Sequence, residues 1–132
     1  MDLSSSIIDH IFRIAARKLA RFDALHPDKD RYPNDAKGAD WTTVGAHDWE
    51  SGFYPGALWF VYEHALSSNW PDAEEWRQRS EAWTSGLTSQ QFNNTHHDLG
   101  FVVFDSFGNG YRITGNSDYQ SVIVHAAKTL AS

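Results

Sequence analysis

The spacing of the apolar residues limits this chain to a largely helical fold. Apolar side chains in residues 4–25 recur every three or four positions, which is typical of an amphipathic helix. They are Ile8, Ile11, Phe12, Ala15, Leu19 and Phe22. Similar spacing predicts helices over 55–67, from about Pro71 to about Gly86, and from about Asn116 to about Leu130. Pro55 suits the first turn of a helix because its missing N–H has no partner to lose there.

Two segments are harder to assign from pattern alone. Residues 98–107 are apolar nearly all round, so periodicity does not separate a buried strand from a buried helix. We predict a helix, because the neighbouring elements are helical, and expect Gly108 and Gly110 to break it. Residues 26–48 are polar and contain Pro27, Pro33 and two glycines, which predicts a long loop.

These elements predict an all-α protein of about five helices, with no convincing sheet, that forms a single helical domain over residues 1–132. Aromatic residues make up 14% of the chain, and some fall on two sides of their helices. Such helices need neighbours on both sides to bury them. Five helices alone do not obviously supply those neighbours.

Composition excludes several classes of function. The net charge is −6 and no block of basic residues exists, so we expect neither nucleic acid nor a membrane as a partner. There is no cysteine, which excludes disulfides and thiolate metal sites. The N-terminus lacks the basic start and apolar core of a signal peptide, and no apolar run approaches a membrane span. We therefore expect a cytoplasmic or periplasmic protein.

A carboxylate beside two imidazoles precedes the apolar segment, in the run His96, His97 and Asp98. Ionisable groups next to a buried element are frequent at catalytic sites. Asp98 is equally well placed to cap the following helix, and one role does not exclude the other. His47 and Asp48 add two further potential ligands, but the spacing matches no known zinc signature, so we predict no metal site.

Upstream, residues 49–56 (WESGFYPG) place aromatic side chains at the start of a helix. Trp49 and Phe53 are suited to stack on a sugar ring, whose C–H faces are apolar. The alternative is a helix-entry turn that packs on its own aromatics. Glycoside cleavage usually needs two carboxylates. Asp98 is one candidate, but no second acid stands out, because Asp105 lies two helical turns further along.

Three segments together resemble a known family, the unsaturated glucuronyl hydrolases of glycoside hydrolase family 88. Residues 49–59 (WESGFYPGALW), 97–101 (HDLGF) and 108–116 (GNGYRITGN) are similar to family motifs in the same order and with similar spacing. The resemblance covers nearly the whole chain but only the N-terminal third of a family member.

The resemblance implies a fold and a reaction. The fold is an (α/α)6 barrel of twelve helices, of which this chain supplies about five as antiparallel pairs. The reaction removes an unsaturated glucuronic acid from the non-reducing end of lyase-generated oligosaccharides. A carboxylic acid protonates the C4=C5 enol ether, water adds at C5, and the hemiketal collapses. No cofactor or metal is implied.

The resemblance also assigns site residues. Asp98 matches the first of two family aspartates and is the predicted catalytic residue, while Trp49, His97 and Phe53 are the predicted substrate-binding residues. The second aspartate, usually the general acid, belongs to a later motif that these 132 residues do not contain.

We therefore predict a truncated hydrolase, with a non-catalytic module that binds unsaturated uronides or glycans as the alternative. Helix faces meant for absent neighbours should be exposed, which predicts self-association through them.

Overall fold

The computed structural model describes residues 3–132, and these are mostly helical, as predicted. The main elements, in chain order, are α1 (Leu3–Leu25), β1 (Tyr32–Lys37), β2 (Asp40–Val44), α2 (Phe53–Ser67), α3 (Ala73–Ser85), α4 (Leu99–Val103), α5 (Asn109–Thr114) and α6 (Ser117–Ala131). A 3-10 helix spans Thr88–Phe92, and a π-helical turn, Phe104–Gly108, joins α4 to α5. No described helix is both long and apolar enough to cross a membrane.

The prediction of a long loop over residues 26–48, and of no sheet, is wrong. Strands β1 and β2 pair antiparallel, with Tyr32 opposite Val44 and Lys37 opposite Asp40. The turn between them contains Gly38, whose φ of +65° is one that glycine adopts without strain. Little in the polar sequence of β1 marks a strand. The hairpin is fixed instead by Tyr32, which is fully buried against the core.

Helix α2 occupies the centre of the fold. It is apolar nearly all round, and Leu58, Trp59 and Ala65 are fully buried. Such a helix needs packing on several sides. Helix α1 contacts it on one side, α3 on another, and the π-helical turn and α5 also pack against it. The short connection of residues 68–72 returns the chain, so α2 and α3 form the predicted kind of antiparallel pair.

Two aspartates on α1 hold that helix against the rest of the fold. Asp9 accepts hydrogen bonds from Arg13 Nε at 2.8 Å and from the indole of Trp70 at 2.7 Å. These bonds, with that from Arg13 the largest cause, lower the pKa of Asp9 to about 2. Four turns further along, Asp23 accepts the indole hydrogen bond of Trp83 at 2.8 Å. The two tryptophans therefore fix both ends of α1.

The helix beginning at Leu99 continues through both glycines expected to break it. Helix α4, the π-helical turn and α5 follow one another without interruption to Thr114. A Cβ at Gly110 would lie 2.7 Å from the ring of Tyr119 and 2.9 Å from that of Trp59. Gly110 is thus a point where two rings pack against the helix backbone. The segment ends at Gly115, whose φ is +69°.

Four phenylalanines of α2 and of the segment that starts at α4 remain exposed to between 42% and 65%. They are Phe53, Phe60, Phe101 and Phe104. Exposed aromatic side chains in this number are unusual for helices whose other faces are buried. The expectation that these helices leave apolar surface without a neighbour is met in the part of the chain that the structure describes.

Candidate functional site

Two motif glycines bring α2 directly against α4 and the π-helical turn. A Cβ at Gly52 would lie 2.6 Å from the carbonyl oxygen of Val102, and one at Gly56 would lie 2.9 Å from that of Asp105. Real Cβ atoms do not approach backbone atoms so closely. The glycines lie four residues apart and so on one face of the chain. They join the motif of residues 49–59 to that of residues 97–101.

This approach assembles an aromatic cluster, which consists of Trp49, Phe53 and Phe101. The ring centroids of Trp49 and Phe53 lie 5.7 Å apart, and each lies 5.9 Å from that of Phe101. All three side chains are between 42% and 47% exposed. Sequence analysis proposed Trp49 and Phe53 but not Phe101. The third ring becomes recognisable only when α2 and α4 are packed together.

Asp98 is the N-cap residue of α4, three residues before Phe101. Its backbone carbonyl accepts a hydrogen bond from the N–H of Phe101 at 2.9 Å, but its carboxylate caps no backbone N–H group. The interpretation of this carboxylate as a helix cap is therefore wrong. The side chain is 30% exposed and lies 3.4 Å from Nε2 of His97. Oδ1 faces the His97 ring, and no backbone N–H group of the described residues donates to the carboxylate, which leaves it able to accept hydrogen bonds from a ligand.

The two adjacent histidines have different environments. The His97 side chain is 93% exposed, and its Nε2 lies 3.4 Å from the Asp98 carboxylate. His96 turns inward, and its Nε2 lies 3.0 Å from the carbonyl oxygen of His47. Its Nδ1 is buried and has no hydrogen-bond partner within residues 3–132. His96 thereby joins the loop before Trp49 to the loop before Asp98. The sequence alone gives no means of telling these two histidines apart.

The contacts described for the third motif, residues 108–116, are with residues outside the aromatic cluster. Arg112 donates two hydrogen bonds to Glu63 of α2, at 2.6 and 2.8 Å, and this interaction lowers the pKa of Glu63. Gly110 packs under Tyr119 and Trp59. Residues 108–116 thus hold α5 against α2 and α6.

Asp105 is the acid that the structure sets apart most clearly from ordinary surface carboxylates. It lines a cavity of about 220 Å³ together with Phe53, Phe60 and Asn109. Burial raises the pKa of Asp105, and no described residue donates a hydrogen bond to its carboxylate. A half-buried carboxyl group with a raised pKa holds a proton more readily. The sequence gives no reason to prefer Asp105 over the other acids, because burial at a partly exposed face is a tertiary property.

The site offers no evident metal-ligand set. Within residues 3–132, no three His, Asp or Glu side chains come together in an arrangement that could hold an ion. His47, Asp48, His96, His97 and Asp98 lie on neighbouring loops, but the Nε2 of His96 is directed at a backbone carbonyl.

Comparison with known proteins shows which proteins this chain is similar to. No protein-family model matches the chain. A protein described as unsaturated glucuronyl hydrolase, from Formosa agariphila, is 38% identical over 88 residues, which is 66% of this chain and 20% of that protein. A crystal structure of an unsaturated glucuronyl hydrolase specific for heparin is 28% identical, with a TM-score of 0.76 over 90% of this chain and 30% of that chain. Both comparisons point to the unsaturated glucuronyl hydrolases.

A third relative agrees in fold. A variant of the unsaturated glucuronyl hydrolase from Streptococcus agalactiae, solved in complex with dGlcA-GalNAc6S, is 23% identical with a TM-score of 0.67. The predicted resemblance to unsaturated glucuronyl hydrolases is confirmed. The described helices have the fold of the matching part of an (α/α)6 barrel. The chain spans about a fifth to a third of these hydrolases, which is consistent with an N-terminal portion.

Proposed function

We propose that this chain takes part in the hydrolysis of unsaturated glucuronic acid from the non-reducing end of oligosaccharides produced by polysaccharide lyases. One observation carries the proposal. The Asp98 carboxylate is free of backbone partners and lies one helical turn from Phe101 of the exposed aromatic cluster. Sugar sites commonly combine aromatic faces with a few polar groups that fix the orientation of the ring. The relatives reported above support the class of reaction.

The chemistry assigns a task to each group. The aromatic cluster packs against the apolar faces of the sugar ring and excludes water from them. Asp98 accepts hydrogen bonds from ring hydroxyls and stabilises the positive charge that develops at C5 when C4 is protonated. A water molecule then bonds to C5 and loses its proton, which produces a hemiketal. The hemiketal opens by cleavage of the bond between C5 and the ring oxygen, which leaves a ketone at C5 and a hemiacetal at C1. The hemiacetal then breaks down to an aldehyde, and the glycosidic oxygen leaves with a proton as a hydroxyl group of the released sugar.

Protonation of C4 needs a second carboxyl group in its acid form. The family motif that carries this group has no match within these 132 residues. Asp105 is the alternative donor within the chain, since it lines a cavity with Phe53 and burial raises its pKa. General acids have raised carboxyl pKa values for the same physical reason.

Asp98→Asn is expected to abolish hydration of the unsaturated sugar. Removing the charge should lower the rate by ~10²- to 10³-fold or more, as for the loss of other groups that stabilise transition-state charge. The measurement is the loss of ultraviolet absorbance of the C4=C5 bond in unsaturated disaccharides from chondroitin, hyaluronan and heparin lyases.

Asp118→Asn is a matched control, because it removes the same charge from another aspartate at the start of a helix, in the first turn of α6.

Asp105→Asn tests whether Asp105 is the proton donor. Loss of turnover in this variant assigns the proton to Asp105. The oligomeric state is measured first, because the exposed phenylalanines support self-association, which could bring a second copy to the site. Equal rates for the wild type and Asp98→Asn would contradict the role proposed for Asp98.

A non-catalytic module that binds glycans is the second candidate. It is favoured by the presence of an aromatic cluster and one free carboxylate without a matched second aspartate. In this case soluble, folded protein binds the unsaturated disaccharide without consuming it, and Asp98→Asn weakens that binding. If Asp98→Asn changes only the stability, both functions are wrong.

Trp49→Ala is expected to weaken sugar binding by about tenfold or more, since an aromatic anchor at a binding site typically contributes over 1 kcal/mol. The melting temperature should change little, because Trp49 is 44% exposed and loses few core contacts. Calorimetric titration with an unsaturated disaccharide, alongside a thermal melt, measures both. A large loss of stability with unchanged affinity would show that Trp49 only packs.

A further inference from the structure

A second cleft lies away from Asp98, between the C-terminal half of α1 and the tip of the β1–β2 hairpin. We call it the hairpin cleft. Its volume is about 470 Å³, and the residues that matter here are Lys18, Arg21 and His26 of α1 with Asp40 and Trp41 of the hairpin. Clefts of roughly 300–1,000 Å³ are the usual size for small-molecule sites. Nothing in the three sequence motifs extends to this cleft.

The cations of the hairpin cleft are free. Neither Lys18 nor Arg21 has an ion pair or hydrogen bond with any residue from 3 to 132, and both are exposed. In contrast, Arg79 is paired with Asp23 and Arg112 with Glu63. The cleft contains one opposing carboxylate, that of Asp40. Two unpaired cations therefore line one cavity in a chain whose net charge is −6.

An aromatic face completes the cleft. Trp41 is 52% exposed and lines it, so its ring is available to stack on a sugar. His26 also lines the cleft, and its Nδ1 donates to the carbonyl oxygen of Phe22 at 3.0 Å, which leaves Nε2 of the neutral ring as an acceptor for a sugar hydroxyl. Cations beside an exposed ring suit a saccharide that carries acidic groups.

The hairpin cleft connects with the aromatic cluster. A neighbouring cavity of about 260 Å³ shares Lys18, Phe22 and Trp41 with the cleft, and it extends to Phe53. Phe53 is a member of the aromatic cluster. The acid that lines this connection, Glu50, is hydrogen-bonded to Asn34. One oligosaccharide can therefore contact both regions along the surface below the hairpin.

We propose that the hairpin cleft binds an acidic group, a sulfate or a carboxylate, of an anionic oligosaccharide whose non-reducing end lies at the aromatic cluster. The orientation of the sugar in this proposal rests on the proposed function, but the binding of the acidic group does not. Lys18 and Arg21 bond the acidic oxygens, and Trp41 packs against the ring that carries them. Hydrogen bonds between charged groups are roughly twice as strong as neutral ones.

The test uses a saturated, sulfated chondroitin tetrasaccharide, which has no C4=C5 bond and is not hydrated. Its affinity is measured by calorimetry at low salt for the wild type and for the double variant Lys18→Gln/Arg21→Gln. We expect the double variant to bind about tenfold more weakly, or worse, as for the loss of charge-assisted hydrogen bonds. The desulfated tetrasaccharide distinguishes the two acidic groups: an unchanged effect of the variant assigns the carboxylate, and a lost effect assigns the sulfate.

The matched control is Arg17→Gln/Lys128→Gln, which removes the same two charges at exposed positions that do not line the hairpin cleft. Its affinity should stay within about twofold of the wild type, by the usual size of remote surface effects. Equal weakening in both double variants, or no binding by the wild type, overturns the proposal.

If the saturated sugar binds through Lys18 and Arg21 but unsaturated sugars are not hydrated, only the proposed function is wrong. If unsaturated sugars are hydrated but the double variant binds the saturated tetrasaccharide as tightly as the wild type does, only the proposal for the hairpin cleft is wrong.

Discussion

Gly52→Ala is expected to destabilise the protein by about 3 kcal/mol or more, at the upper end of overpacking costs. The added methyl group would meet the carbonyl oxygen of Phe101 and lie 2.6 and 2.7 Å from the carbonyl oxygen and Cα of Val102. These are backbone atoms of a helix, so relief requires α2 and α4 to move apart. Such movement also separates Trp49 and Phe53 from Phe101.

The measurement for Gly52→Ala is urea denaturation, followed by a binding titration on the folded fraction. Gly100→Ala is the matched control. Like Gly52, Gly100 lies in a motif at the start of a helix, but a Cβ there meets nothing within 4 Å. Alanine at an unobstructed helical position usually stabilises by up to about 1 kcal/mol. If the two variants have equal stability, the close approach of α2 to α4 is wrong, and with it the assembly of the aromatic cluster.

Trp83→Ala is expected to cost about 3–5 kcal/mol, the usual range for a large aromatic removed from a core. Trp83 is fully buried and packs against Tyr54, Tyr32 and Phe22, with ring centroids 4.8, 5.4 and 5.7 Å away. Trp41→Ala makes the same chemical change at a tryptophan that is 52% exposed, and should cost little. Thermal and urea denaturation compare the two variants. Similar losses would mean that Trp83 is not a central core residue.

Trp83→Phe separates packing from hydrogen bonding, because it keeps a ring and removes the indole donor to Asp23. Burial raises the pKa of Asp23, but the hydrogen bonds from Trp83 and Arg79 outweigh it, so its pKa lies below the usual value. A depressed carboxyl pKa stabilises the fold above the ordinary value of about 3.9, and this stability is lost as pH falls through the folded-state pKa. The loss of unfolding free energy in Trp83→Phe, relative to the wild type, should therefore be largest near neutral pH and become smaller below about pH 4. A deficit independent of pH would mean that the indole bond does not act through the charge of Asp23.

Sequence spacing identified the helices well, and the exceptions have physical causes. The 3.6-residue repeat is a local property, so α1, α2 and α6 are visible without any tertiary information. The β1–β2 hairpin was missed because most of it is exposed and it is held by Tyr32 beneath Trp83, 51 residues away. Gly108 and Gly110 were read as helix breakers, but each lies under an aromatic ring that occupies the space of a side chain.

Some residues of the candidate site are likewise predictable from the sequence, and others only from the structure. The motifs led from sequence to Asp98, Trp49, Phe53 and His97, and to the family that the comparisons support. Only the packing of α2 on α4 adds Phe101 to the cluster, turns His96 inward while His97 stays exposed, and leaves the Asp98 carboxylate without a backbone partner. Only the cavities in the structure identify Asp105, and the pair Lys18 and Arg21, as candidate functional residues, because they line those cavities.

The sequence by itself determined which segments are helical and which motifs mark the family, because periodicity and short motifs are read from neighbouring residues. The tertiary structure decided which side chains meet and which remain free. Those properties depend on contacts between residues distant in the chain, such as Gly52 with Val102 and His47 with His96. Burial, pairing of charges and the shape of a cavity arise only from such contacts, and these are the properties from which binding and catalysis are built.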